Sequence, residues 1–276
     1  MKHITPILIA FLHAIGDNIM FTGVLHEYKK RNPDLSIHLL LMDDGSDIIW
    51  KGNPDVTATH KYFHTQPRFW NTLMYYGHDQ RAVYDNILPM LIDKKSKYET
   101  FKLVTVQTWP EIVYHLTGTY GKHKVCRMAE EMGLPAIKYP YRMFPTEKDM
   151  YDAQRIVKKL PKDFALVHPF SRHCKKNMSD ELIEKVLKDL KDRGLSPIVI
   201  GGNADRVVSS HMLYGLPLHV LLEVMRSAKQ YVGTDSSPAH LAGLANIPRI
   251  TVYSPKLKPS RYEPVSVKSA IVLKKL

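Results

Sequence analysis

Two cysteines in 276 residues, Cys126 and Cys174, lie far apart with no partner spacing for zinc, so neither a disulfide framework nor a structural zinc module is expected. Both read as reduced thiols. Long apolar runs are also missing. The one nearest the start, Ile4 to Ile15, is broken by Pro6 and His13 and is too short to cross a bilayer. It lacks a small-residue cleavage site, so no secretory signal or transmembrane segment is read, and a cytoplasmic location is expected.

Acid is scarce relative to base: 27 Asp and Glu against 39 Lys and Arg give a formal net charge of +12. Such an excess asks for an anionic partner, but it is unevenly placed. Up to Lys148 there are 18 basic against 15 acidic residues, and from Asp149 onward 21 against 12. The excess therefore sits mainly in the second half, with a basic tail at Lys268, Lys274 and Lys275, which weakens a simple inference to nucleic acid. Hydrophobic residues at 44% and charged residues at 24% are the proportions of a globular protein, and the length suits two domains.

Along the chain, the apolar run Ile7 to Leu12 leads into His13-Ala14-Ile15-Gly16-Asp17-Asn18 and then an amphipathic stretch to Arg31, which reads as strand, tight turn and helix. Asn32-Pro33-Asp34 stops that helix. Leu35 to Met42 follows as a second buried strand, closed by Asp43-Asp44-Gly45, so the start of the chain has the strand-helix-strand form of a parallel sheet. Between Gly52 and Gly121 the pattern is less regular, with a strand read over Lys102 to Gln107 and part of a helix over Glu111 to Leu116. Pro140 and Pro145 mark a linker. The boundary is expected at residue 147, giving domains 1–147 and 148–276. Beyond it, strands are read at Phe164 to Val167, Pro197 to Ile200, Gln230 to Gly233 and Arg249 to Tyr253. Helices are read at Ser179 to Arg193, Leu218 to Arg226 and Pro238 to Ala245. The class is α/β, with ligands expected where parallel strands end.

The segment from Tyr231 to Ala242 ends a strand at Gly233 and starts a helix near Pro238, with small hydroxyl residues between. Proline suits a first helical turn, where its missing N–H is not needed. The free N–H groups there, the hydroxyls of Thr234, Ser236 and Ser237, and the positive end of the helix dipole together suit a phosphate. A plain helix capped by Ser237 gives the same sequence.

Read to Pro255, this segment resembles the hallmark "DSGP-x-HLA-A-x-x-x-P" block of family 9 glycosyltransferases, the bacterial heptosyltransferase group. Three more segments match in the family's order. Gly16-Asp17-Asn18-Ile19-Met20-Phe21-Thr22 is similar to its amino-terminal turn. His168-Pro169-Phe170-Ser171 through Lys176-Asn177-Met178-Ser179 is similar to its "PGAS…K-x-W-P" block, and Gly201-Gly202-Asn203-Ala204-Asp205 to its "GGP-x-E". Ser237, Phe170, Met178 and Asp205 depart from the usual residues, leaving the fold unaffected and the donor's identity open. The region from about 52 to 140 shows no match.

The resemblance implies a GT-B architecture of two Rossmann-like doubly wound domains facing a cleft, the second binding a nucleotide-diphosphate sugar and the first an acceptor. Displacement of a nucleoside diphosphate from an anomeric carbon needs a base on the attacking hydroxyl and positive charge on the leaving phosphates. Asp17 is the candidate base, with a capping carboxylate as the alternative, and His13 stands close enough in sequence to share that role or to be structural. Lys176 is the candidate cation for the departing diphosphate, supported by Ser171, Arg172 and Lys175. Donor contacts are expected from Gly202, Asp205, Asp235, Ser236, Ser237 and His240, with Asp205 on the ribose hydroxyls. Acceptor contacts are expected from Gly16, Asn18, Arg68 and Trp70. No metal site or cofactor is expected, since Asp43-Asp44 reads as a turn.

The acceptor stays open at this level. The family favours a phosphorylated saccharide of lipopolysaccharide-core type, reached at the cytoplasmic face by peripheral membrane contact. The stretch from His60 to Arg81 interleaves cations with aromatic rings, which also suits stacking on bases, so DNA is the alternative acceptor, as for the bacteriophage enzymes that glycosylate hydroxymethylated bases. A non-catalytic nucleotide-binding module is the third alternative.

Overall fold

A computed structural model describes residues 5–11, 13–42, 45–62, 100–103, 122–171, 174–202, 205, 209, 211–253, 259–265 and 270–274. The chain divides into two units, Met1–Arg142 and Met143–Leu276. This division falls a few residues before the one expected at 147. Residues 139–142 belong to the first unit because they pack on its helix. Thr146 belongs to the second because it caps a helix there, accepting from Asp149 N while the Asp149 carboxylate accepts from Thr146 N.

In the first unit, β1 (Thr5–Phe11), β2 (Leu35–Met42), β3 (Ala58–Tyr62) and β4 (Thr100–Leu103) form a sheet in the order β3-β2-β1-β4 with every pairing parallel. Strands covered on both faces read as continuous apolar runs, and Ile7 to Phe11 are all at most 2% exposed. Helix α1 (Ile15–Arg31) follows β1 and buries Asn18 to Leu25. Phe21 stacks on Phe11 at 4.2 Å, and Trp50 meets Phe21 edge-on at 6.0 Å. Helix α2 (Lys124–Glu131), capped by His123, packs on α1. The chain then returns across α1 so closely that a Cβ on Gly23 would lie 2.1 Å from the Pro140 carbonyl oxygen, and Arg142 N–H donates to Thr22 Oγ1 at 2.8 Å.

One expectation for this unit changes. Residues 13–18 do not form a tight turn: helix α1 already begins at Ile15, with Ala14 as its N-cap and no side-chain cap. The Asn18 side chain instead ties the preceding residues to the helix: its amide donates to His13 O at 2.8 Å and to Ala14 O at 3.2 Å while its oxygen accepts from Trp50 Nε1 at 2.9 Å. The strand expected over 102–107 meets β4, Thr100–Leu103, at 102–103, and 104–107 lie outside the described residues. The helix expected over 111–116 lies outside the described residues.

The second unit places β5 (Phe164–His168), β6 (Ser196–Gly201), β7 (Met212–Tyr214), β8 (Gln230–Thr234), β9 (Arg249–Tyr253) and β10 (Ala270–Lys274) in the order β10-β9-β8-β5-β6-β7, all parallel. Read from β7, this is the 3-2-1-4-5-6 order of a doubly wound Rossmann sheet. Its helices are α3 (Glu147–Val157), α4 (Asp180–Asp192), α5 (Leu218–Ser227), α6 (Ser237–Leu244) and α7 (Pro259–Tyr262). Ser179 caps α4, and Gly194 at φ 75° closes it. Phe170 and Met178, two of the departures from the family pattern, lie in the core with Val167, Ile183, Val199, Val232 and Val252. Both are apolar side chains packed inside that core.

Candidate active site

The sheet order fixes where the second unit can bind a ligand. From β5 the chain moves outward to β6 and β7, then returns to the other side of β5 as β8. A crevice opens at the carboxyl ends of β5, β6 and β8, where the winding reverses.

Three segments leave those strand ends. After His168, the loop from Pro169 to Met178 is closed by Met178 N–H donating to Pro169 O at 2.9 Å and by Ser171 N–H donating to Asn177 Oδ1 at 2.8 Å. The loop carries a single 3₁₀ turn, Cys174–Lys176. Lys176 Nζ donates to Asp235 Oδ2 at 2.8 Å and to Asp235 O at 3.1 Å. The cation is thereby fixed beside the start of α6, and Asp235 anchors it.

Helix α6 begins at Ser237 with Ser236 as N-cap, one residue before the Ser237 cap of the plain-helix alternative. Ser236 Oγ lies 3.1 Å from His168 Nδ1 and 3.3 Å from Thr234 O, so the hydroxyl ties the turn down and makes no capping bond to the helix. Pro238 has no N–H and Ala239 N–H donates to Ser236 O at 3.0 Å, so the amides that this helix start offers to an anion are those of Ser236 and Ser237. His240 is buried in the body of α6 and does not line the crevice.

At the end of β6, Gly202 N–H donates to Asp205 Oδ2 at 2.7 Å and Asp205 N–H donates to Gly202 O at 3.0 Å. The approach is tight: a Cβ on Gly201 would lie 2.8 Å from Asp205 Oδ2. One carboxylate oxygen therefore shapes the turn, and the Asp205 side chain lines the crevice.

These segments enclose a cavity of about 320 Å³. Its polar side is His168, Ser171, Gly202, Asp205, Ser236 and Ser237; its apolar side is Phe170, Ile200, Leu213, Leu216, Leu218, Leu221 and Pro238. An apolar wall opposite a few polar groups is the usual make-up of a cofactor-sized site. His168 is 8% exposed, and burial pushes its imidazole pKa down to about 4 against the opposing pull of the Asp205 charge, so the ring is neutral near pH 7. A larger cavity of about 430 Å³ lies at the start of β6, beside Ser196 and Pro197, away from the strand ends where ligands bind in such sheets.

In the first unit, Asp17 occupies the third position of α1, where the helix dipole favours a carboxylate. Its Oδ1 accepts from Lys124 Nζ, the first residue of α2, at 2.8 Å, with side chains 15% and 12% exposed. His13 packs its ring at 4.7 Å from Phe11 and gives its carbonyl to Asn18. Gly16 lies in the first turn of α1 and is partly exposed. Asn18 is fully buried with its amide engaged on both sides, which positions the residues before Asp17. Arg68, Trp70, Arg172 and Asp43-Asp44 lie outside the described residues, as does the aromatic and cationic stretch beyond Tyr62.

His168, the leucine wall from β7 to α5, and Lys124 were not singled out from sequence. His168 stood inside a quoted motif, and its place as the last residue of the central strand was the available signal.

A nucleotide-sized cavity at the winding reversal of a Rossmann sheet puts the second unit among the nucleotide-binding α/β folds. Residues 122–276 match the family model "Glycosyltransferase family 9 (heptosyltransferase)", and the chain belongs to that family and is a glycosyltransferase. Three solved structures share its fold. A family 9 glycosyl transferase from Veillonella parvula is 17% identical, with a TM-score of 0.71 over 100% of this chain and 87% of that one. The E. coli ADP-heptose lps heptosyltransferase II is 15% identical, with a TM-score of 0.68 over 99% of this chain and 91% of its own. The E. coli heptosyltransferase WaaC with ADP is 17% identical, with a TM-score of 0.61 over 99% and 94%. The fold class is thus GT-B, built of two Rossmann-like units. No curated protein matches the chain in sequence.

Proposed function

We propose that this protein moves a heptose-type sugar from an ADP-linked donor to a hydroxyl of a phosphorylated, lipopolysaccharide-core-type saccharide. The observation that carries the reading is the cavity at the ends of β5, β6 and β8, lined by the start of α6 on one side and Asp205 on the other, with Lys176 outside that lining and tied by its bond to Asp235 to the residue before Ser236. The donor and acceptor classes are taken from the relatives, named as an ADP-heptose lps heptosyltransferase and as a heptosyltransferase with ADP. A net charge of +12 suits an anionic acceptor, and no helix among the described residues is long and apolar enough to cross a membrane. A cytoplasmic enzyme in peripheral contact with the membrane face fits both.

Residue roles follow from the chemistry. The acceptor oxygen attacks the anomeric carbon, the bond from that carbon to the β-phosphate oxygen breaks, the hydroxyl proton passes to Asp17, and ADP leaves. A single displacement inverts the anomeric centre. Charge developing on the departing phosphate is met by Lys176 and by the Ser236 and Ser237 amides, the part a divalent ion takes in other transferases. Ser171 lies beside this anion site, Asp235 holds Lys176, and Asp205 takes the ribose. The test is incubation with ADP-heptose and a phosphorylated core saccharide, following ADP. Release that requires acceptor, persists in EDTA and yields the opposite anomer is expected. Release blocked by EDTA removes metal independence, and a retained anomer removes the single displacement.

A further inference from the structure

His168 ends β5, the strand from which the sheet departs on both sides, with β6 paired along one edge and β8 along the other. The end of β6 carries Asp205, and the end of β8 carries Ser236 and the start of α6. A nucleotide with its ribose toward Asp205 and its phosphates toward α6 must pass over the His168 ring. That ring lines the cavity, and its Nδ1 is committed to Ser236 Oγ at 3.1 Å.

The remaining nitrogen, Nε2, then has a defined chemistry. If Ser236 donates to Thr234 O, 3.3 Å away, Nδ1 carries the ring proton and Nε2 is an acceptor; if Ser236 donates to Nδ1, Nε2 is the donor. Burial keeps the ring neutral, so one of these two tautomers holds near pH 7. A phosphate oxygen satisfies only the second. A ribose hydroxyl, which both donates and accepts, satisfies either. Asp205 lies close enough for its charge to act on the ring.

Resting on the donor-site reading above, we propose that His168 is a ribose-binding residue, its Nε2 bonding one hydroxyl of the donor's ribose diol while Asp205 takes the other. The site is thereby selective for ribonucleotides over their deoxy forms. The selectivity belongs to an uncharged imidazole placed at the centre of the sheet.

The experiment is calorimetric titration of the full chain with ADP, 2′-deoxy-ADP and 3′-deoxy-ADP, for wild type, His168→Asn and His168→Gln. Asn places its amide near Nδ1 and keeps the Ser236 contact, whereas Gln reaches toward Nε2. Wild type is expected to bind ADP about tenfold more tightly than at least one deoxy analogue. His168→Asn is expected to lose about that factor for ADP and nothing further for the analogue lacking the contacted hydroxyl, with part of the loss recovered in His168→Gln. Equal binding of all three nucleotides by wild type overturns the proposal, whatever the variants do. So does an equal loss for all three in His168→Asn, which marks a merely structural ring. If wild type binds none of ADP, UDP, GDP or CDP, the donor site itself is wrong and the proposal falls with it. Binding of another of the four moves the same cycle to that nucleotide's deoxy forms.

Discussion

Lys176 Nζ sits 2.8 Å from the Asp235 carboxylate, so the cation assigned to the donor's diphosphate is held in place by an acid one residue ahead of the Ser236 cap. The acid is 5% exposed and the lysine 27%. Lys176→Ala therefore leaves a buried carboxylate without this partner, and a stability loss of about 1–3 kcal/mol is expected by urea unfolding, toward the low end because the lysine is partly solvated. Adding Asp235→Asn restores stability without restoring ADP affinity. A double variant that recovers affinity as well would remove Lys176 from the donor site.

Asp17 and Lys124 form the corresponding pair in the first unit, 2.8 Å apart. Asp17→Asn should lower kcat by about 10²- to 10⁴-fold while ADP binding stays at the wild-type level. Lys124→Met should lower kcat by roughly tenfold through loss of the carboxylate's orientation and add little on top of Asp17→Asn. Fully additive effects would mean that Lys124 acts independently of Asp17.

Stability should depend on pH through His168. Its pKa is about 4 when folded, against an ordinary 6.5, so the unfolded chain binds the proton more readily between those values. The stabilisation is fully present above pH 6.5 and is lost as pH falls toward 4, reaching at most about 3 kcal/mol. Urea midpoints from pH 7.5 to 4.5 should fall less steeply for His168→Gln than for wild type. Parallel slopes would place the titration elsewhere.

Much of the second unit was legible because its strands are buried on both faces and read as apolar runs, as in FALVH and RITVY. Strand β7 is three residues long, too short for any periodicity to register. Helix α3 buries only Ala153, so its apolar signal is faint and it was not among the helices read from sequence; its Thr146 and Asp149 capping box is seen in the structure. The beginning of α1 was misplaced because Ala14 offers no side-chain cap to mark it, and the Asn18–Trp50 bond beside it forms only in the folded chain. Lys124 lies 107 residues from Asp17, a pairing that no local pattern shows. The donor motifs were readable as segments, whereas the place of His168 between them needed the strand order.

Gly23 tests the first unit's packing. A methyl group there would meet the backbone at Pro140, at 2.1 Å from its oxygen, and backbone yields less readily than a side chain. Gly23→Ala should destabilise by about 1–3 kcal/mol or more in thermal unfolding, despite alanine's better helix propensity. A neutral or stabilising change would show that the chain at Pro140 can move away from α1.

The central claim is donor use by the cavity of the second unit, and its most direct measurement is ADP release from ADP-heptose by wild type and Lys176→Ala, with and without a phosphorylated core saccharide. Wild type should release ADP in step with acceptor glycosylation, and Lys176→Ala should release it at least about tenfold more slowly with weakened ADP binding. Failure of wild type to release a nucleoside diphosphate from any ADP-, UDP- or GDP-linked sugar, or an undiminished rate in Lys176→Ala, would contradict the account.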